Sequence, residues 1–277
     1  MSKVVLITGC STGIGRDLAQ RLSSAGYSVV ATARHAEAVC DLPAALKLPL
    51  DVTCPESADE AVALTLRQFG RLDVLVNNAG YALRGALEEI PVEQAQQMFD
   101  VNVFGVLRLI RAVAPAMRRQ GAGRIINISS IAGKLSTPAN GAYSAAKFAL
   151  EALSDALRLE LAPFGVQVVV VEPGAIKTQF DETAQAQAQA ILSNPSSPYQ
   201  PLYQKSDQFA ASMRQQEAGP EAVSLVIQRA IEAPRPKARY LTAVAPSGQL
   251  VLLLRDLVWD LALQRLFKLE PVERKMA

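Results

Sequence analysis

The sequence predicts an α/β fold: a single domain on a doubly wound parallel sheet of about seven strands, with helices on both faces. Three observations predict it. Apolar runs of strand length alternate with longer stretches of helical periodicity, and this alternation implies right-handed crossovers and a parallel sheet. The runs are rich in Val, Ile and Leu without strict polar alternation, as strands covered on both faces require. A chain of 277 residues, half of them apolar, supplies one large core without cross-links.

Residues 4–8, 28–33, 46–50, 74–77, 124–128 and 166–171 read as strands. Helical patterns cover about 14–25, 56–69, 92–119, 142–163 and 220–232. No linker or internal repeat divides the chain, so residues 1–277 read as one domain. The segment 178–220 differs, with AQAQAQA followed by Asn-Pro, Ser-Pro and Gln-Pro steps. It reads as a poorly ordered surface loop or as a substrate lid, because long insertions in compact domains often close over sites. Residues 247–277 read as a helical extension. Its 249–269 run, QLVLLLRDLVWDLALQRLFKL, approaches the length of a membrane span, but Arg255, Asp256 and Asp260 interrupt it. A charge near a bilayer centre costs roughly 2.5–3.5 kcal/mol, which argues against a span. The charges are spread around the helix, which fits cover by this domain or a partner subunit. A surface membrane anchor is the alternative.

A net charge of +2 and the lack of a long basic run argue against a nucleic-acid partner. Cys10, Cys40 and Cys54 are odd in number and widely spaced. They suggest neither a disulfide framework nor a metal site, and reduced thiols fit a cytoplasmic protein. The apolar VVLIT after Met-Ser-Lys lacks a small-residue cleavage site and leads into glycines. It reads as a first strand and not as a signal peptide.

Those glycines carry the first functional signal. Gly9, Ser11, Thr12, Gly13, Ile14 and Gly15 lie where the first strand turns into a helix. Glycine there permits a tight turn and close approach of a pyrophosphate, to which the helix N-terminus offers free N–H groups and a positive dipole end. At the end of the second strand, Ala33 stands where an acid would bind the ribose hydroxyls of NAD, and Arg34 follows. A guanidinium fork suits a 2′-phosphate, so NADP(H) is expected in preference to NAD(H). His35, the single histidine, reads as a loop residue. A Ser-His-Asp hydrolase would have to use that single histidine, which argues against one.

Tyr143 and Lys147 are four residues apart in a helical stretch, so they share one face. A phenol with a pKa near about 10 is a poor acid/base at neutral pH, and a nearby ammonium favours its ionised form. Three neighbours single out this pair: Ser129-Ser130 after the fifth strand, Asn77-Asn78-Ala79-Gly80 after the fourth, and Asn102 between them. Strand ends carry the sites of open α/β sheets.

With TGCSTGIG, Asp51-Val52-Thr53, NNAG, the Asn102 segment, Ser130 with YSAAK, and Pro173-Gly174-Ala175-Ile176-Lys177-Thr178, the chain resembles the classical short-chain dehydrogenase/reductase family over about residues 3–241. The resemblance implies a Rossmann fold and an oxidoreductase. It implies that Tyr143 donates a proton in reduction and accepts one in oxidation. Ser130, preferred over Ser129 by its distance to Tyr143 in the family pattern, would hold the substrate oxygen. Lys147 would bind the nicotinamide ribose and lower the tyrosine pKa, and Asn102 would hold a water that links Lys147 to solvent. Asp51 and Val52 would meet the adenine, and Asn78, Ala79 and Gly80 the adenosine ribose. Pro173, Gly174, Ile176 and Thr178 would hold the nicotinamide.

TGCSTGIG, the ATAR strand end and Arg239-Tyr240-Leu241-Thr242 look like the branch with seventeen-beta-hydroxysteroid and retinol dehydrogenases. That implies an apolar ketone, aldehyde or alcohol as substrate. Leu83, Leu135, Ala139, Phe180, Leu192, Tyr199 and Phe209 are candidate pocket residues, though each taken singly reads more readily as core packing. The resemblance also implies a homodimer or homotetramer, with Ala145, Ala146, Ala149 and Ala152 permitting close helix approach. Two other readings remain. A non-catalytic NADP(H) sensor is disfavoured by the intact Ser130, Tyr143, Lys147 and Asn102. An epimerase or dehydratase of the extended branch is disfavoured by the short length after Thr178.

Overall fold

The computed structural model describes residues 2–214 and 217–244; the expected extension over 247–277 lies outside the described residues. The fold class is as expected. Seven strands, β1 (Val4–Ile7), β2 (Ser28–Ala33), β3 (Leu46–Pro49), β4 (Val74–Asn77), β5 (Gly123–Ile128), β6 (Val166–Pro173) and β7 (Arg239–Thr242), form one parallel sheet in the order β3-β2-β1-β4-β5-β6-β7. The order in which successive strands are added reverses between β1 and β4, the switch point at which open sheets leave a crevice.

The strand composition has a direct structural reading. Val4, Leu6, Val30, Leu75, Ile125 and Val168 point to one face, against α2 (Pro55–Phe69), α4 (Gly105–Gln120) and α5 (Gly141–Leu161). The intervening Val5, Ile7, Val29, Val74, Val76, Ile126 and Val169 point to the other face. There they meet α1 (Gly13–Ser24) and α8 (Pro220–Glu232) through Leu18, Leu22, Val223 and Ile227. Both faces are therefore dry, and strict alternation is absent for that reason.

The continuous helix expected over 92–119 is divided. α3 (Val92–Phe99) and α4 are joined by a five-residue π turn, Asp100–Phe104. Side chains hold this turn in place. Asn102 clasps the Tyr81 backbone from both ends of its amide, and Arg108 bonds both the carbonyl and the carboxylate of Asp100. Apolar periodicity carries no trace of such contacts, and π turns concentrate at functional sites.

The segment 178–220 is not an irregular loop. It contains α6 (Phe180–Leu192) and α7 (Gln200–Arg214). Ala184 and Ala188, one turn apart, bury the inner face of α6. Tyr203 of α7 accepts from the Ala86 amide and bonds the Glu89 carboxylate, while Arg84 reaches Ser206 and Asp207. These contacts fasten the segment across the strand ends. No helix among the described residues is long and apolar enough to cross a membrane.

A buried polar chain links the sheet to α5. Asn77 donates to Asn127 at 2.8 Å, Asn127 to Ser154 at 2.9 Å, and Ser154 to the Leu150 carbonyl at 2.6 Å. Removing its centre strands buried donors and acceptors on both sides. We therefore expect Asn127→Ala to lower stability by about 2–4 kcal/mol, read by urea unfolding.

Candidate active site

The candidate residues converge on the C-terminal edge of the sheet because each follows a strand. Gly9 begins the turn after β1, Asn78–Gly80 follow β4, Ser130 follows β5, and Gly174 follows β6. The glycine loop is shaped as a cradle. Gly9 adopts φ +72°, a left-handed conformation open to glycine at little cost. A side chain at Gly15 would run into the Gly9 carbonyl oxygen and the Asn78 amide. Asn78 seals the loop from below, donating to the Thr8 and Gly9 carbonyls at 2.9 and 3.1 Å. Thr8 Oγ1 accepts from the Asn78 and Ala79 amides, both at 3.0 Å.

This cradle fits a pyrophosphate. Thr12 caps α1 with no side-chain hydrogen bond, and no acid occupies the first turn. Ser11 and Thr12 are exposed, with Gly13 and Ile14 partly so. The amides of the first turn and the helix dipole are thus available to an anion. A side chain at Gly13 would contact Thr178 at 3.2 Å, so the loop after β6 passes directly over the helix start. That loop is held by Ile176, which bridges to Ala218.

At the far end of the crevice, Arg34 is exposed after β2, and no salt bridge engages it among the described residues. Across from it, hydrogen bonds from Thr53 hold the Asp51 carboxyl below its usual range, and the Arg34 and Arg108 charges act in the same direction. Val52 is buried against Gly105.

Two further candidate side chains sit deeper. Tyr143 and Lys147 are 8% and 6% exposed. The Lys147 ammonium lies 5.7 Å from the Tyr143 ring centre and donates to the Ile128 carbonyl at 2.8 Å. Burial lowers its pKa from the ordinary 10.5 to about 8, and the Glu151 carboxylate acts in the opposite sense. Asn102 approaches from the π turn. A side chain at Gly80 would meet its Oδ1 at 2.6 Å and Lys147 Nζ at 3.9 Å.

Ser129 and Ser130 are treated differently. Ser129 is buried beneath Gly133, whereas Ser130 is part-exposed, caps the turn Ile131–Gly133 and donates to the Pro173 carbonyl at 3.5 Å. Phe180 of α6 meets the Tyr143 ring edge-on, with centroids 5.7 Å apart.

The pocket candidates separate into two groups. Leu83 and Phe180 pack with Tyr143 in one apolar cluster, while Ala139, Leu192 and Tyr199 surround Tyr203 in another. Leu135 and Phe209 are part-buried and lie outside both clusters. Of the alanines expected on one open face, Ala145 and Ala152 are exposed and Ala149 is half-buried, but Ala146 is fully buried in the Tyr143 cluster. It is one residue out of step with the stripe formed by the other three, and helical geometry turns it inward.

A model of the short chain dehydrogenase family matches residues 3–189. The chain belongs to this family. As a short-chain dehydrogenase it is an oxidoreductase on a nucleotide-binding Rossmann fold. It is 39% identical over 273 residues to the uncharacterized oxidoreductase YbbO of Escherichia coli K12, covering 95% of both chains. It is 37% identical over 254 residues to human 17-beta-hydroxysteroid dehydrogenase type 1, covering 86% of this chain and 77% of the human one. A solved short-chain dehydrogenase from Streptomyces avermitilis superimposes with a TM-score of 0.80 at 35% identity, covering 96% and 97% of the two chains. Other solved neighbours differ in cofactor. One from Burkholderia phymatum is in complex with NAD (27% identical, TM-score 0.79), and ElxO has NADP bound (28%, 0.70).

Lys147 has a measurable consequence for stability. Below about pH 8 the folded dehydrogenase bears the full penalty of the buried ammonium. Between about pH 8 and 10.5 the unfolded chain binds the extra proton, so stability rises with pH. We expect Lys147→Met to be at least as stable as the wild type at pH 7. The wild type should gain on the variant as pH rises through that window, as measured by urea unfolding at pH 7 and about 9.5.

Proposed function

We propose that the protein is an NADP(H)-dependent reductase of a ketone or aldehyde group on an apolar substrate, able to oxidise the matching alcohol. One observation carries this reading: a phenol and an ammonium are buried together on one helix face, with Asn102 and Gly80 close to the ammonium.

Bound nicotinamide supplies the hydride. The chain's own residues manage the proton and the position. Tyr143 gives its phenol proton to the substrate oxygen, and Ser130 donates a hydrogen bond to that oxygen and orients it. Lys147 places a positive charge beside the phenol and stabilises its ionised form after transfer. It also binds the nicotinamide ribose. Asn102 holds the water that returns a proton, from a turn already within reach of Lys147. Gly9, Ser11, Thr12, Gly13, Ile14 and Gly15 take the pyrophosphate, Asp51 and Val52 the adenine, and Asn78, Ala79 and Gly80 its ribose. Pro173, Gly174, Ile176 and Thr178 take the nicotinamide.

Arg34 supports the choice of NADP(H), since it stands exposed where the 2′-phosphate would lie and no acid competes at Ala33. Cells keep this cofactor mostly reduced, which favours carbonyl reduction. The substrate's apolar character is supported by Leu83 and Phe180 packed around Tyr143, and by the named activity of the human relative. α6 and α7 serve as the lid. A homodimer or homotetramer is supported by exposed Val92 and Phe104 and by the Ala145, Ala149 and Ala152 stripe. We place the protein in the cytoplasm.

Tyr143→Phe should reduce NADPH-dependent turnover of an apolar carbonyl roughly 10²–10⁴-fold while NADPH binding persists, measured by steady-state kinetics beside fluorescence titration. Arg34→Ala should raise KM for NADPH about 10- to 100-fold, the worth of a charge-assisted contact, and leave KM for NADH nearly unchanged.

A further inference from the structure

Behind the site lies a group of charges that the reaction itself does not use. Glu151 is on α5, one turn beyond Lys147, and Glu172 is on β6, next to Pro173. Both are buried, at 6% and 5% exposure. Two cations hold them together. Arg239 of β7 lies 3.0 Å from Glu151 and 3.3 Å from Glu172, and Lys134, just past the Ser130 turn, lies 3.4 and 3.5 Å from the same two carboxylates. Arg239 also grips both oxygens of Asp155 at 2.6 and 2.7 Å, and Asp155 in turn bonds Arg158.

Placing two carboxylates side by side in a protein interior is unfavourable. Burial and the Glu151 charge together push the Glu172 carboxyl above its usual range. Glu151 Oε1 has no hydrogen-bond partner among the described residues. A buried ion cluster seldom outperforms well-packed apolar residues as a source of stability, so stability alone does not account for this one. Its location suggests another role. Gly133 fits so closely between the Ser130 turn and α5 that a side chain there would meet Glu151 Cγ at 3.1 Å and the Lys147 carbonyl at 3.2 Å. Three segments that carry the site therefore meet at these four side chains.

We propose that Glu151, Glu172, Lys134 and Arg239 form a positioning cluster, which ties the Ser130 turn, the Lys147 helix and the Pro173 strand end together and sets a carboxylate behind the Lys147 ammonium. The cluster deepens the reductase reading and rests on it. Glu151 acts on Lys147 from the next turn of its own helix, Tyr143 and the uncharged Asn102 lie near it, and Lys134 past the Ser130 turn, Glu172 on β6 and Arg239 on β7 connect to it through Glu151. Lys134, Arg239 and Arg158 are matched by Glu151, Glu172 and Asp155. Neutralising Glu151 therefore leaves an excess of positive charge near Lys147, and its ammonium should lose its proton at lower pH.

The test is carbon NMR of the full-length protein, without cofactor, carrying lysine labelled at Cε, with the Lys147 signal assigned by its loss in Lys147→Arg. Glu151→Gln should move the Lys147 midpoint down by roughly half a pH unit or more. Arg239→Lys keeps the charge and loses only the fork. It should leave the midpoint in place and lower kcat more than it raises KM. A Glu151→Gln midpoint that coincides with the wild type would overturn the proposal, whatever happens to turnover. If that variant does not fold, Glu172→Gln takes its place, with the same downward shift expected and coincidence again overturning the idea. Full activity in Tyr143→Phe would instead remove the reductase reading and leave the Lys147 titration untouched, so the two failures are distinguishable.

Discussion

A positive charge buried beside a phenol is the constraint on which this structure depends. Lys147 is almost wholly out of water, and its ammonium donates to the Ile128 carbonyl. An isolated ammonium in that position tends to give up its proton. The surroundings make it tenable: β5 supplies the carbonyl, the next helical turn supplies Glu151, and the π turn brings Asn102 near without adding charge. The parallel sheet makes this convergence natural, since every strand delivers its following loop to the same edge.

The same edge accounts for the single crevice proposed for cofactor and substrate. The glycine turn after β1 leaves the start of α1 without a side-chain cap, and the Asn78 amide props the loop from beneath. The loop after β6 crosses above the helix start, so the segments proposed for phosphate and nicotinamide touch through Gly13 and Thr178. α6 then brings Phe180 against Tyr143. An apolar ring over the phenol excludes water and strengthens every charge interaction beneath it.

Much of this was legible in the sequence because the signals are local. Strand placement follows from short Val/Ile runs, the phosphate turn from glycine spacing, and the Tyr143–Lys147 face from helical periodicity. The π turn was not legible: Val92–Gln120 keeps its apolar rhythm on both sides of it, and Asn102 is drawn in by the Tyr81 backbone, twenty-one residues away in the chain. Proline steps made 178–220 look irregular, yet Asn194-Pro195 and Ser197-Pro198 fall between the helices and Gln200-Pro201 opens α7, and the inner faces are set by Ala184, Ala188 and Tyr203. β7 was visible only as a four-residue step, since its strand character comes from pairing with β6. The Glu151, Glu172, Lys134 and Arg239 cluster draws on four separate elements, and no spacing rule joins them.

The most direct measurement is a crystal structure of the protein with oxidised dinucleotide and an unreactive alcohol or ketone bound. The account predicts the Tyr143 and Ser130 hydroxyls within hydrogen-bond distance of one ligand oxygen, with the nicotinamide stacked alongside and Lys147 on its ribose. A complex in which the nicotinamide lies away from Tyr143, or in which another side chain contacts that oxygen in its place, would contradict it.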